Sequence, residues 1–244
     1  MYGLDYRLFL NTVSKYFEIR KVRDYARPAE GKVCLLRHDV DSDINQAIKM
    51  AEIEYEAEVR STYFVLHTAG YYKESGFLDK CRYLQDMGHE VGLHNNIITA
   101  TLAEPPATTE EILARELAFL RGGGVDVRGT VSHGDNLCHE LNFLNYQIFK
   151  GCVGKNRPDS VKGIKFYTID MADHDLDYEA LFVERHSYLS DSGGSRWSWN
   201  YPKKAEPIES YRESQDVIAY VNKLGMVEGR LILQILAHPI WWSL

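Results

Sequence analysis

The chain has 244 residues, 45% hydrophobic and 26% charged, which fits one α/β globular domain and excludes a disordered or low-complexity chain. A formal charge of −7 and a pI near 5.7, with no local cluster of Lys and Arg, oppose the phosphate-neutralising surface that nucleic-acid binding needs. Met1 to Val22 is broken by charged residues such as Asp5, Arg7 and Lys15, and the longest apolar run, Leu231 to Ala237, is far short of a membrane span; the expectation is a cytoplasmic protein with no signal peptide and no membrane insertion.

In chain order, Leu4, Leu8, Val13 and Phe17 recur at near-helical spacing and predict a covering helix over Leu4 to Tyr16, and Arg27-Pro28-Ala29-Glu30-Gly31 then breaks the chain before the first strand. The run Val33-Cys34-Leu35-Leu36 predicts the buried end of a strand, and it stops in Arg37-His38-Asp39-Val40-Asp41-Ser42-Asp43. Asp43 then reads as the N-cap of a helix whose apolar side carries Ile44, Ala47, Ile48, Ala51 and Tyr55, with Lys49, Glu52 and Glu56 opposite. A second strand is expected at 61–67, ending in His67, a helix from Phe77 to Met87 closed by Gly88, and a third strand at 89–94, ending in His94. Pro105-Pro106 marks a loop. Thr108 and Glu111 form a capping box for a helix over 108–121.

A fourth strand at 127–133 again finishes in polar residues, Ser132, His133, Gly134 and Asp135. Between Asn136 and Tyr188 the pattern is weaker, with a helix near 143–149 and a strand at 166–169. A strand at Tyr188 leads into Asp191 and a Gly-Gly loop, and Val217, Ile218, Val221 and Leu224 make the last helix, closed by Gly225, before the strand Leu231 to Ala237 ends in His238-Pro239. Repeated β-α units predict a single-domain α/β fold, a distorted (β/α) barrel of about seven strands. Cys34, Cys81, Cys138 and Cys152 form no C-x-x-C pair and read as reduced core thiols.

The predicted strands deliver Asp39 with Asp41, His94, His133 and His238 at their ends, and in a parallel sheet those ends share one rim. A carboxylate with two or three imidazoles suits Zn²⁺, Co²⁺ or Mn²⁺. Taken singly, each has a plainer reading: Asp41 and Asp43 as helix caps, His94 and His133 as hydrogen-bonded strand-end histidines, and Asp170, Asp173, His174, Asp175 and Asp177 as a solvated acidic loop. Asp39, Asp41 and Asp43 do not make a calcium loop, because Ile44 and Met50 stand where Gly and a bidentate Glu belong.

These ordered motifs resemble the polysaccharide deacetylases with the nodulation-factor deacetylase homology domain, the family-four carbohydrate esterases. Arg37-His38-Asp39-Val40-Asp41 is similar to their first motif, Gly88 to His94 to the second, Asp191 with Trp197 to the aspartate-tryptophan motif, and Ile235 to His238 to the last. The resemblance implies Asp39 as general base, Asp41 and His94 as metal ligands, and His238 as the catalytic acid, with Asp191 orienting it. The family's second metal-binding His falls at Ile98, and His133 is expected to replace it, with His67 in reserve; Arg37 is expected to partner the base. Trp197, Trp199 and Tyr201 would stack on a sugar ring. The implied activity is metal-dependent hydrolysis of an N-acetyl or O-acetyl group on an amino sugar or surface-polysaccharide precursor, as in a divergent branch of the family. A related amidohydrolase acting on a small cyclic amide or ureide, and an inactive carbohydrate-binding homologue, stand as alternatives.

Overall fold

In the computed structural model, which describes residues 5–153, 157–191, 197–200, 209–211 and 214–244, Asp5 starts the first helix. Its carboxylate accepts from the backbone N–H groups of Arg7 and Leu8, at 2.7 and 3.4 Å, and so caps α1 (Tyr6–Ser14). The short strand β1 (Glu18–Arg20) pairs in parallel with β2 (Lys32–Val40). β2 runs beyond its apolar half, so Arg37, His38 and Asp39 are strand residues rather than a loop after the strand. They remain in the ladder because their side chains find buried polar partners, described below.

Asp43 caps α2 (Ile44–Glu56) as expected, accepting from Asn45 and Gln46. The buried stripe of α2 differs from the expected one: Glu54 points inward and Tyr55 is exposed. β3 (Thr62–Leu66) is followed by a 3-10 turn, Gly70–Lys73, then by α3 (Phe77–Asp86) and β4 (Glu90–Asn95). Next comes α4 (Ile97–Ala103), which periodicity does not predict. Its Ile and Thr residues are β-branched with weak helix preference, and no side chain caps it. α5 (Thr109–Gly122) has the predicted capping box, Glu111 N–H to Thr108 Oγ1 at 3.2 Å and Thr108 N–H to Glu111 Oε2 at 2.8 Å.

β5 (Gly129–Ser132) and α6 (Asn136–Glu140) follow, and the helix expected near 143–149 is a 3-10 turn, Asn145–Ile148. A two-stranded hairpin, β6 (Ser160–Val161) and β7 (Ile164–Lys165), precedes the segment expected as a strand at 166–169, which instead joins the fold through the isolated bridge Phe149 to Ile169 and the Phe166 N–H bond to the Asp159 carbonyl at 3.0 Å. The chain ends through β8 (Tyr178–Glu179), β9 (Ser187–Ser190), β10 (Trp197–Asn200), β11 (Glu209–Tyr211), α7 (Ser214–Gly225) and β12 (Leu231–Ala237).

The main sheet has the order β11-β10-β9-β12-β2-β3-β4-β5-β8, with β1 on β2. Along that path the seven strands from β9 to β8 run parallel, the α/β, distorted (β/α) barrel class that the β-α alternation predicts. β12 pairs with β2 from Leu231–Lys32 to Ala237–His38, and with β9 on its other side. By contact density the chain forms two units: Met1–Tyr63, Tyr83–Glu90 and Glu184–Leu244 in one, Phe64–Arg82 and Val91–Val183 in the other.

In the first unit α1, α2 and α7 cover β2, β9 and β12, and Phe9, Leu10, Met50, Leu189, Val221, Leu233 and Ile235 pack there at full or nearly full burial. Each such side chain contributes about 1.5–3 kcal/mol. In the second unit β5 lies between β4 and β8, and α4 packs against α5 and α6. All four cysteines are buried free thiols, as expected. No helix among the described residues is long and apolar enough to cross a membrane.

Candidate functional site

In the first unit, parallel strands β2, β9 and β12 end side by side, so their carboxyl ends bring Arg37, Asp39 and Asp41, Asp191, and His238 to one edge. Alternation along β2 puts Arg37 and Asp39 on one face and His38 on the other. Arg37 Nη1 donates to Asp39 Oδ1 at 3.2 Å, an ion pair with both side chains buried, and Nη2 donates to the Tyr188 hydroxyl at 3.0 Å.

His238 is held more tightly. Its Nδ1 lies 2.6 Å from Asp191 Oδ1, and Asp191 Oδ2 accepts both the His238 backbone N–H at 2.8 Å and the indole N–H of Trp242 at 3.0 Å. With Nδ1 committed to a carboxylate, Nε2 faces Asp41 Oδ2 at 3.6 Å. Burial alone would lower the imidazole's pKa; Asp191 outweighs it, and with Asp39 and Asp41 raises His238 to about 9.

In the second unit, β4 and β5 end in His94 and His133. His94 Nδ1 faces the Val131 carbonyl at 3.1 Å, so it carries the ring proton and leaves the lone pair on Nε2. His133 Nδ1 lies 3.1 Å from that Nε2, the rings nearly perpendicular at 88°. Two imidazole nitrogens on one tetrahedral Zn²⁺ stand about 3.3 Å apart, and a metal-binding histidine usually gives its other N–H to a carbonyl or carboxylate. The pair therefore already has nearly the spacing and the tautomer of His94 that a divalent ion requires.

His133 is also fixed through its backbone. Its N–H donates to the Asn95 carbonyl at 2.8 Å, and its own carbonyl accepts from Asn145 Nδ2 at 2.8 Å. Asn145 Oδ1 accepts the Ile98 N–H at 2.8 Å, so the residue standing where a histidine ligand was expected is a fully buried anchor of α4. Asp135 caps α6 through Cys138 N–H at 2.7 Å and accepts from Asn96 and Thr99. His67, the reserve ligand, accepts the Asn96 N–H on Nε2 at 2.9 Å; burial first, then His94, Arg115 and His133, lower its pKa to about 3.

Asp41, His94 and His133 each offer a ligand atom, and these atoms all lie within 4.8 Å of one another. This is the trio expected from the sequence, and it can hold a metal ion. His67 is not in it. Trp197 and Trp199 lie in β10, but their side chains, like Tyr201 altogether, fall outside the described residues. The acidic segment is solvated as expected: Asp170 pairs with Lys150 at 3.1 Å, and Asp177 takes Arg128 through both oxygens at 2.9 and 3.0 Å.

Compared with protein-family models, curated proteins and solved structures, the chain matches none. The site therefore has to be read from its own chemistry. That chemistry includes residues that the sequence did not single out: Trp242 on Asp191, Tyr188 on Arg37, and Asn145 on the carbonyl of His133. None has a spacing signature. Each partner is distant in sequence, and only the fold brings the two together.

Proposed function

We propose that the protein is a metal-dependent hydrolase that removes an N-acetyl or O-acetyl group from an amino sugar or a surface-polysaccharide precursor. The observation that carries the reading is the Asp41, His94 and His133 group, with His94 Nε2 and His133 Nδ1 only 3.1 Å apart. A bound Zn²⁺, Co²⁺ or Mn²⁺ would polarise the acetyl carbonyl and acidify a water molecule.

The rest of the chemistry falls to the chain's own groups. Asp39, its carboxylate held by Arg37, takes the proton of the attacking water. His238, kept protonated by Asp191, donates from Nε2 to the departing amine or hydroxyl, because Nδ1 is already engaged. Asp191 plays the part that carboxylates play behind catalytic histidines: it fixes the ring and favours its cation. Chain order assigns Asp39 as base and Asp41 as ligand, and the proximity of Asp41 to both histidines supports the second role.

The test is acetate release from a panel of N- and O-acetylated amino sugars, with cyclic imides and ureides alongside. The reading predicts acetate release that a chelator abolishes and that Zn²⁺, Co²⁺ or Mn²⁺ restores. Turnover of the cyclic amides alone would move the protein to the amidohydrolase alternative. Sugar binding with no acetate release, with or without metal, would leave a carbohydrate-binding protein.

A further inference from the structure

Behind the edge that carries Arg37 and Asp39, the opposite face of β2 holds a fully buried polar cluster with no part in the proposed chemistry. Glu54 of α2 is its centre. Oε1 accepts from the hydroxyl of Tyr6 and faces His38 Nε2 at 2.8 Å; Oε2 accepts from the hydroxyls of Ser61 at 2.6 Å and Tyr63 at 2.7 Å. His89 is the second imidazole there. Its Nδ1 accepts the Ser61 N–H at 3.2 Å and its Nε2 faces the Ala51 carbonyl at 3.2 Å, the pattern of a neutral ring with one proton. His38 differs, because both of its nitrogens face acceptors: Glu54 Oε1 on one side and, through Nδ1, the Ala237 carbonyl at 3.1 Å on the other. Glu54 is thus bonded to His38 at 2.8 Å and lies 3.6 Å from His89 Nδ1, and of the two rings only His38 faces an acceptor on each nitrogen.

A buried ion pair gains little over an apolar pair of the same volume, since desolvation offsets the attraction. What the pair does here is geometric. Ala237 and His38 form the last rung between β12 and β2; His238 follows Ala237 just past the end of β12, and Asp39 follows His38 on β2. The Nδ1 bond is a side-chain link across that rung, and Glu54 holds the ring that makes it.

We propose that His38 is a positioning residue: by bonding the Ala237 carbonyl it fixes the ends of β2 and β12 against each other, and with them Asp39 and His238. This rests on the reading that Asp39 and His238 serve one reaction, as base and acid. Glu54 supports the imidazole from behind, and the Tyr6, Ser61 and Tyr63 hydroxyls saturate its remaining lone pairs.

Two substitutions divide the two bonds of His38. The amide nitrogen of Asn overlays Nδ1 of His, so His38→Asn keeps the link to Ala237 and loses Glu54. The amide nitrogen of Gln overlays Nε2, so His38→Gln keeps Glu54 and loses Ala237. Each variant is measured for urea stability, for kcat and KM on the best acetylated substrate, and for the ¹H–¹⁵N resonance of the His238 Nδ1 proton in substrate-free protein.

The expected result is a crossing. His38→Gln is the more stable of the two, yet its kcat falls about tenfold or more at unchanged KM, and its His238 proton resonance broadens by exchange. His38→Asn is less stable, with kcat within about threefold of the parent and the resonance retained. Activity that follows stability, or a His238 resonance equally sharp in the Gln variant, would overturn the proposal. If the parent protein releases no acetate from any substrate, the hydrolase reading fails separately, and the resonance arm alone decides the positioning role: broadening confined to His38→Gln upholds it, and equal spectra refute it.

Discussion

Asp191 holds His238 at two points, with Oδ1 2.6 Å from the ring Nδ1 and Oδ2 accepting the backbone N–H of the same residue at 2.8 Å. The double contact fixes both the ring and the place where the chain leaves β12, while Trp242 occupies the remaining side of Oδ2 at 3.0 Å.

Removing that charge has a consequence with a definite sign. The folded-state pKa of His238, about 9, lies above the 6.5 of an unperturbed imidazole. The stability from this contact is therefore full below pH 6.5 and is lost as pH rises through about 9, and it is worth about 3 kcal/mol at most. In metal-free protein, urea midpoints should fall across that interval for the parent and lose that fall in Asp191→Asn, whose His238 should titrate well below the parent's once Asp191 no longer outweighs burial. A His238 titration unchanged by Asp191→Asn would remove Asp191 from its role.

Glu54 gives the opposite slope at the acid end. Burial would push its carboxyl up, but the His38 imidazole through charge and hydrogen bond, with the His89 imidazole and the Ser61 hydroxyl, outweighs this and holds it at about 2. Its contribution is complete above the ordinary carboxylate value of 4.5 and disappears as pH falls through about 2. Glu54→Gln should cost about 3–5 kcal/mol at neutral pH and lessen the loss of stability between pH 4.5 and 2. Equal acid sensitivity in parent and variant would contradict the pairing.

Gly92, two residues before His94, tolerates no side chain. A Cβ there would sit 2.4 Å from the Phe64 ring and 2.9 Å from the Gly129 carbonyl oxygen of the neighbouring strand. Gly92→Ala should lower the unfolding free energy by about 1–3 kcal/mol. Phe64→Leu in the same chain should recover only part of it, because the contact with the Gly129 backbone remains. Full recovery would place the whole strain on Phe64.

The rim residues were legible because apolar runs stop in chemistry-bearing residues, as at Val131-Ser132-His133; at Leu36-Arg37 the apolar run stops but the strand continues to Val40, since Arg37, His38 and Asp39 are buried with polar partners. Helix starts were legible where a side chain writes its own signal, at Asp43 and at Thr108 with Glu111. Tyr55 was placed on the buried side, and Glu54 passed over, because the helical period of α2 permits a stripe through either 54 or 55, and only the partners Tyr6, His38, Ser61 and Tyr63 decide it. α4 went unseen because it is short, uncapped and opens with β-branched Ile97, Ile98 and Thr99; packing and the Asn145 bond to Ile98 hold it helical. Asp41, His94 and His133, which could hold a metal ion, could be named together because they lie at the ends of separate strands. The supporting residues could not, since Trp242, Tyr188 and Asn145 meet their partners only across long stretches of chain.

The most direct test of the account is metal stoichiometry and affinity by equilibrium titration with Zn²⁺, Co²⁺ and Mn²⁺, in the parent protein and in His94→Ala, His133→Ala and Asp41→Asn. The account predicts one tightly bound divalent ion per chain in the parent, and an affinity reduced at least about a hundredfold in each variant. Full affinity retained in both His94→Ala and His133→Ala would contradict it.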